Sequence, residues 1–494
     1  MRNSIIPSLF LCSCRGNVEI SSSMEVGKVF AIDKSKNNII HMISRKERIK
    51  MSPEMISIIG ILVGLAALIV LAMKGVSLYI SAPLSAAIVA IFSGKNVIGL
   101  LTGEYMTGFA GFMQSYFLMF ALSSIFAKLM GDSGAAKLIA LKIAGLVRKS
   151  PAKYQKLFAV LSVGIMTAIL TYGGINLYCC VFVLVSIGKD LFEEFDIPWH
   201  LYMASSLGSG SFTMTMLPGT PSIQNLIPTE VLGTSASAAP VIGSISAVVC
   251  IILSVIYVKY AIAKTEKRGE HFMPTGSRIA GVEEENLEEP DMNIIVSLVP
   301  SVALLIALNG VKLSAVESLL VAILVAIIVY GKQLIKNKIN LFDVGTEGIK
   351  NAIMVLLNVC VIVGFGSVVA ATKGYETIMN GLDSIPGSPI VQLIIAVNLA
   401  AGVCGSASGG LSIGLNLFGQ RFIDAGLSPD IVHRLSVMSS GGLDSLPHSS
   451  GTASALGVAQ LTHKEGYMHV FWLNTVIPII CTILAGFLAS IGLC

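Results

Sequence analysis

From Ile56 onward the chain alternates long apolar runs with short polar ones, and the runs fall into two lists of the same rhythm. The first list lies near 56–73, 76–93, 109–129, 157–172, 175–188, 199–216 and 236–258. A polar, acidic stretch, "KTEKRGEHFMPTGSRIAGVEEENLEEPD", interrupts the pattern. The second list resumes near 293–309, 312–331, 350–371, 389–404, 411–419, 431–446 and 468–492. An apolar run of about 17–25 residues crosses a hydrocarbon core roughly 30 Å thick as a helix, so the pattern predicts an all-α polytopic membrane protein. A shift of about 232 residues lays "TYGGIN" (171–176) on "GSASGG" (405–410) and brings Leu217-Pro218 near Leu446-Pro447, so each half reads as one structural repeat.

Charge then relates the halves. Residues 131–156 carry Lys137, Lys142, Arg148, Lys149, Lys153 and Lys156, whereas the counterpart at 372–389 has only Lys373. The loop at 94–108 has only Lys95, while 332–350 holds Lys332, Lys336, Lys338 and Lys350. Basic loops stay on the cytoplasmic side, so equivalent loops lie on opposite faces and the repeats are inverted. Inversion requires an odd number of crossings per half. Each repeat is therefore expected to hold about five transmembrane helices plus one re-entrant hairpin, at 157–188 and 389–419. The expected partition is a non-core extension at 1–50, repeat 1 at 51–263, a cytoplasmic linker at 264–292 and repeat 2 at 293–494. Segments 131–147 and 374–382, mixed in polarity, are expected to lie along the interface as amphipathic arms. The start of the first helix and the C-terminus fall outside, and the linker inside.

Polar chemistry gathers at four places that the apolar runs cannot bury in lipid. The hairpin tips hold Gly173, Gly174 and Asn176 in the first half, and Ser406 and Ser408 in the second. Irregular backbone at that depth survives only against protein or a water-filled cavity. After each hairpin a helix must break. The first break, "TMTMLPGTPS", carries Thr213, Thr215, Pro218, Gly219, Thr220 and Pro221; the second, "SSGGLDSLPHSSGT", carries Ser439, Ser440, Asp444, Pro447, His448, Ser449 and Ser450. Proline removes an N–H and glycine removes restraint, so helix ends are freed there. Freed N–H groups suit an anion and freed carbonyls suit a cation. Hydroxyls and amides dominate, and no Arg or Lys is expected at the site. The competing reading of each hydroxyl is a bond to a neighbouring helix.

Asp444 and His448 stand out, because an ionisable group at depth costs roughly 3 kcal/mol by insertion scales. They are the expected proton carriers, with a structural Asp–His contact as the alternative. Glu317 reads as interfacial, and His200, His433 and His463, near helix ends, are given no special role.

Composition agrees with the pattern. Of 494 residues, 54% are apolar and 13% charged, and the formal charge is only +4, which leaves no basic surface for nucleic acid. Nine scattered cysteines form no CxxC or His-spaced pair, so no metal, disulfide or cofactor role is read from them. The first fifty residues lack both a sustained apolar run and a signal-peptide layout, and "MSPEMISIIGILVGLAALIVLAMKG" opens a helix almost at once. Translation from Met51 is therefore one expectation for this region, and a tail outside the fold the other.

The stretches "GSFTMTMLPGTPSIQNLIPTEVLGTSASAAP" (210–240) and "HRLSVMSSGGLDSLPHSSGTASALGVAQLTHKEGY" (433–467) resemble the gluconate:proton symporter (GntP) family, in particular its hydroxybutyrate-permease-like branch. The likeness runs over roughly 51–494. It implies membership of the wider ion transporter superfamily, with a scaffold, a mobile transport unit and often a dimer. Carried over by motif, it points to Pro218, Gly219, Thr220 and Pro221 in one half and Asp444, Pro447 and His448 in the other. "HSSG" stands where the family's "HNG" is expected after the proline, which leaves a gluconate-like anion and a smaller hydroxy or keto acid both open as the substrate.

These readings converge on a proton-coupled symporter for a small organic anion in the cell membrane, working by alternating access and possessing no enzymatic activity. Sodium coupling is the nearest rival, since freed carbonyls and hydroxyls also hold Na+. A fixed channel fits paired hairpins poorly. An intramembrane hydrolase using Asp444, His448 and Ser449 or Ser450 is the rival from another class; its weakness is a serine adjacent in sequence to its own base.

Overall fold

The computed structural model describes residues 52–279, 289–382 and 388–494, apart from positions 75, 176, 211 and 448. The expected extension at 1–50 and the proposed start at Met51 lie outside the described residues.

The described residues form helices, with no strand among them. The first half has α1 (Pro53–Met73), α2 (Leu78–Phe92), α3 (Val97–Asp132), α4 (Ala135–Arg148), α5 (Gln155–Tyr172), α6 (Leu177–Glu194), α7 (199–215), α8 (Ile223–Leu232) and α9 (Pro240–Lys267). The second half has α10 (Ile294–Gly310), α11 (Ala315–Lys336), α12 (Leu341–Ala370), α13 (Lys373–Leu382), α14 (Pro389–Cys404), α15 (407–424), α16 (Pro429–Ser440), α17 (Ser450–Val458) and α18 (His463–Ser490). Among the described residues, seven helices are long and apolar enough to cross a membrane: Pro53–Leu71, Val97–Asp132, Ala152–Tyr172, Pro240–Lys267, Ala315–Lys336, Leu341–Ala370 and His463–Ser490. Side chains such as Leu62, Ile98, Ile328 and Phe487 are exposed on their outer faces, which suits hydrocarbon and not water.

Short polar residues set the helix starts. The side chains of Ser77, Asn96, Asn293, Asn340 and Ser428 each accept a first-turn N–H. Ser314 with Glu317, and Thr462 with Glu465, form reciprocal capping boxes at α11 and α18. Glu317 is thus a cap at a helix mouth, as an interfacial position requires. Pro240, Pro389 and Pro429 stand in the first turn, where the missing N–H costs nothing.

Packing is close wherever small residues meet. A Cβ on Gly108 of α3 would stand 2.0 Å from Ser367 Oγ of α12, and one on Gly64 of α1 would stand 2.4 Å from Val89 of α2. In lipid such close approach of a neighbouring helix to a glycine is a main source of helix association. The packed pairs come in sets. α1 lies on α13 as α10 lies on α4; α2 lies on α12 as α11 lies on α3; α5 lies on α7 as α14 lies on α16; α6 lies on α17 as α15 lies on α8. Two further pairs, α3 with α12 and α9 with α18, join helices that hold the same place in the two orders.

The two helical hairpins are α5–α6 and α14–α15. Their second legs end at Glu194 and Asp424, beyond the expected limits of 188 and 419. Charged last turns carry no apolar signal, so hydropathy stops short of the helix end. For the same reason α9 runs past 263 to Lys267.

Candidate functional site

The first hairpin tip turns at Gly174, whose φ of +94° excludes most side chains. A Cβ at Gly173 would lie 2.9 Å from Ser301 Oγ, and one at Gly174 would lie 2.4 Å from Leu304, so the tip is seated on α10. At its base the Thr171 and Thr213 hydroxyls are hydrogen-bonded at 2.7 Å, and the Tyr172 hydroxyl donates to Pro218 O at 3.4 Å. The tip therefore rests on the break of its own half. Asn176 lies outside the described residues.

The first break runs from Met216 to Ser222. Gly219 sits at φ +77°, donates its N–H to Ala236 O (2.9 Å) and receives Asn309 Nδ2 on its carbonyl (2.8 Å). The Ser237 hydroxyl donates to Asn309 Oδ1 at 2.7 Å. Thr220 is fully buried; Asn225 Nδ2 donates to its carbonyl (2.9 Å), and its own hydroxyl has no partner among the described residues. Ser222 caps α8 by accepting the Asn225 N–H and donates to Met214 O at 2.8 Å. Pro218 and Pro221 bracket a loop whose backbone is tied down by side chains from three elements.

The second hairpin tip turns at Gly405 (φ +56°), and Ser406 caps α15 by accepting the Gly409 N–H, with the Ser408 hydroxyl 3.4 Å away. A Cβ on Gly410 would stand 2.2 Å from Ala401 Cα, which locks the two legs together. The second break follows α16. The Ser445 hydroxyl donates to Asp444 Oδ1 at 3.0 Å, the Ser449 N–H to Leu446 O at 2.8 Å, and the Thr452 hydroxyl to Ser445 O at 3.4 Å. Pro447 O accepts from His463 Nε2 at 3.0 Å, so His463, expected to have no special role, ties the break to the start of α18. Asp444 is half-buried. His448 lies outside the described residues, as does the side chain of Ser450.

The two breaks touch. A Cβ on Gly441 would be 2.9 Å from Thr215 Cγ2 and 3.1 Å from Thr215 Oγ1. Next to this crossing Ser439 and Ser440 are fully buried; Ser440 donates to Val437 O at 2.8 Å, while the Ser439 hydroxyl has no partner among the described residues. Thr213, Thr215 and Ser449 are buried as well. Thus the structure brings Thr213, Thr215, Ser439 and Ser440 together, and places Gly173 and Gly174 one packing layer away.

Two residues correct the sequence reading. Arg434 is fully buried at this place, where no Arg or Lys is expected. Its Nε donates to Ala238 O (3.0 Å), Nη1 to Asn225 Oδ1 (3.0 Å) and Nη2 to Ala236 O (3.1 Å). Its neighbour His433, given no special role, is also fully buried, 2.6 Å from the Thr234 hydroxyl and 3.3 Å from Asn225 Oδ1. Carbonyl oxygens left over by the irregular 233–239 segment take the guanidinium's protons, which is why a cation is tolerated there. The signal was present: Arg434 lies inside an apolar run, the same anomaly that singled out Asp444. Asn309 and Asn398 carried no such signal. Asn398 packs on Gly442, where a Cβ would stand 2.1 Å from its Oδ1.

An apolar groove of about 460 Å³ runs beside the first tip, with Gly173, Thr213, Ser254 and Ser301 among its few small or polar lining residues. Among the described residues, no group of three or more His, Cys, Asp or Glu could hold a metal ion.

No family model matches the chain. It is 30% identical over 462 residues to the Bacillus subtilis (strain 168) protein named "Uncharacterized transporter YxjC", across 84% of this chain and 95% of that one. Among solved structures, the Alcanivorax borkumensis YdaH transporter aligns with a TM-score of 0.49 and 16% identity, over 79% of this chain and 88% of that one. Neisseria gonorrhoeae MtrF, described with "a class of antimetabolite efflux pumps", aligns at 0.42 and 13%, over 80% and 84%.

Proposed function

The chain belongs to the transporter family of the Bacillus subtilis relative, and from that premise we propose that it is a secondary active transporter moving a small organic acid anion together with a proton by alternating access. The observation that carries this reading is the contact of the two helix breaks at Thr215 and Gly441, amid buried hydroxyls. Breaks from opposite halves that meet inside a bundle are where transporters bind substrate, because both ends of the helices offer unpaired backbone groups there.

In this reading the anion is held by backbone N–H groups and by Thr215, Thr220, Ser439 and Ser449. The Thr220 and Ser439 hydroxyls, without a partner among the described residues, support it, since a buried hydroxyl without a partner is costly until a ligand supplies one. Asp444 carries the proton. Arg434, engaged with three oxygens, is a fixed positive field near the first break and not the ligand itself. The substrate class, a gluconate-like anion or a short hydroxy or keto carboxylate, is part of the proposal, as are the cell membrane as its location and a homodimer.

The two halves are proposed as inverted repeats with boundaries at 51–263 and 293–494, joined by the 264–292 linker. Support comes from the repeating helix order and from packed pairs that exchange when the halves are exchanged, together with the reversed distribution of basic loops.

The deciding experiment is uptake of a panel of C3 to C6 carboxylates by purified protein in liposomes, under an imposed pH gradient with and without sodium. Proton coupling requires uptake to collapse with the pH gradient and to be indifferent to sodium. Uptake that follows sodium instead replaces the coupling ion, and no uptake of any carboxylate rejects the substrate class.

A further inference from the structure

The cytoplasmic end, as the basic loops define it, carries a hydrogen-bonded chain that the transport site does not use. His200 Nε2 lies 2.9 Å from Glu270 Oε2 of the linker, and His200 Nδ1 lies 2.9 Å from His469 Nε2. His469 Nδ1 in turn lies 3.0 Å from the Tyr257 hydroxyl, which reaches Met468 O at 3.5 Å. The two imidazoles are nearly parallel, with centroids 5.1 Å apart.

Hydrogen-bond directions limit what this chain can hold. In a neutral arrangement Tyr257 donates to His469 Nδ1, His469 Nε2–H donates to His200 Nδ1, and His200 Nε2–H donates to the Glu270 carboxylate. Add one proton at His469 Nδ1. The Tyr257 hydroxyl turns to Met468 O and accepts from His469, and the proton between the rings passes from His469 to His200 Nδ1. His200 is now an imidazolium beside Glu270, and all three links persist. A second proton would set two N–H groups against each other across 2.9 Å. The chain therefore takes one proton without losing a bond, and no more.

That proton bears on the linker. Besides Glu270, the linker's His271 Nδ1 lies 2.6 Å from Asp196 Oδ2, and the Phe272 N–H donates to Asp196 Oδ1 at 3.0 Å. Arg278 donates to Gln460 O (2.8 Å) and to Glu465 (2.5 Å). Residues 268–279 thus tie the start of α7 to the start of α18. The charged groups facing the two linker contacts are Arg268 and Glu270 on the linker, Lys264 on α9, and Asp196 and Lys156 around His271. Protonation of His200 or His271 adds Coulombic attraction to a hydrogen bond whose carboxylate acceptor is already charged.

We propose that Glu270, His200, His469 and Tyr257 form a single-proton site whose occupancy, with that of His271, sets how firmly the linker is strapped across the two halves. The proposal needs the orientation read from the basic loops but neither the carboxylate substrate nor proton coupling.

Hydrogen exchange of full-length protein in nanodiscs between pH 8 and 5.5, corrected for the intrinsic pH dependence of exchange, tests it without substrate. Protection of the Phe272 amide and its neighbours is expected to rise at least threefold toward pH 5.5. His271→Asn, at an exposed side chain, should remove part of the rise, and His200→Gln with His271→Asn should remove it all. Flat or falling protection in the unaltered protein, or an undiminished rise in the double variant, overturns the proposal.

Discussion

Replacing Arg434 with methionine takes three donors from Asn225, Ala236 and Ala238 in a place that water does not reach. Ala236 O keeps the Gly219 N–H and Asn225 Nδ2, and Asn225 Oδ1 keeps His433, so Ala238 O is the acceptor left stranded; that costs about 1–3 kcal/mol, read as a lower thermal midpoint in detergent. Gly219→Ala is a second stability change. Its φ of +77° and the 2.9 Å approach to Asn309 together cost about 1–2 kcal/mol. Asp444→Asn tests function instead. The hydrogen bond from Ser445 survives on the amide oxygen, but the proton cannot be taken up or given back. Uptake driven by a pH gradient is expected to fall more than tenfold while substrate exchange without a gradient persists; gradient-driven uptake at the original rate moves the proton elsewhere. At this scale the sequence was informative where a residue broke a pattern. Asp444 and the prolines stood out of apolar runs. Asn309 and Asn398 did not, because an isolated amide near the end or middle of an apolar helix is ordinary, and only the fold brings them to the breaks.

At the scale of elements, the crossing of the two breaks depends on an absent side chain. Gly441→Ala drives a methyl into Thr215 Cγ2, and uptake is expected to drop at least tenfold while the protein still folds. Thr215→Ser in the same chain deletes the opposing methyl and should restore most of the rate. Failure of that rescue would mean that the crossing does not govern transport. The helices were readable from the apolar rhythm, while the residues that cap their starts emerge only in the fold. Hairpin ends were less so: the last turns of α6 and α15 are held by backbone bonds while their side chains meet the polar rim, so composition changes before the helix stops.

At the scale of the whole molecule, the strap and the transport cycle meet. When inner and outer pH are lowered together with their difference held fixed, initial uptake is expected to fall further in the unaltered protein than in the His200→Gln, His271→Asn protein. At still lower pH the sign reverses. The Phe272 N–H first, and His271 second, hold the Asp196 carboxyl below its ordinary value of 3.8, so its contribution is present above that value and disappears as pH falls through the lowered one. Strap tightness should therefore peak in mild acid, in a pH series of the same exchange experiment. Why the strap escaped the sequence reading is plain in physical terms. Asp196 with His200, Glu270, and His469 belong to three separate segments, and nothing local in any of them indicates a partner.

The glycine at the crossing leaves a mark beyond this one protein. Position 441 has no room for a side chain while position 215 keeps its γ-methyl, so the two sites share one fixed volume although 226 residues separate them along the chain. Among relatives, serine or glycine at the position of Thr215 should accompany alanine at that of Gly441, and neither exchange should spread alone. Two distant sites would then drift through evolution as one.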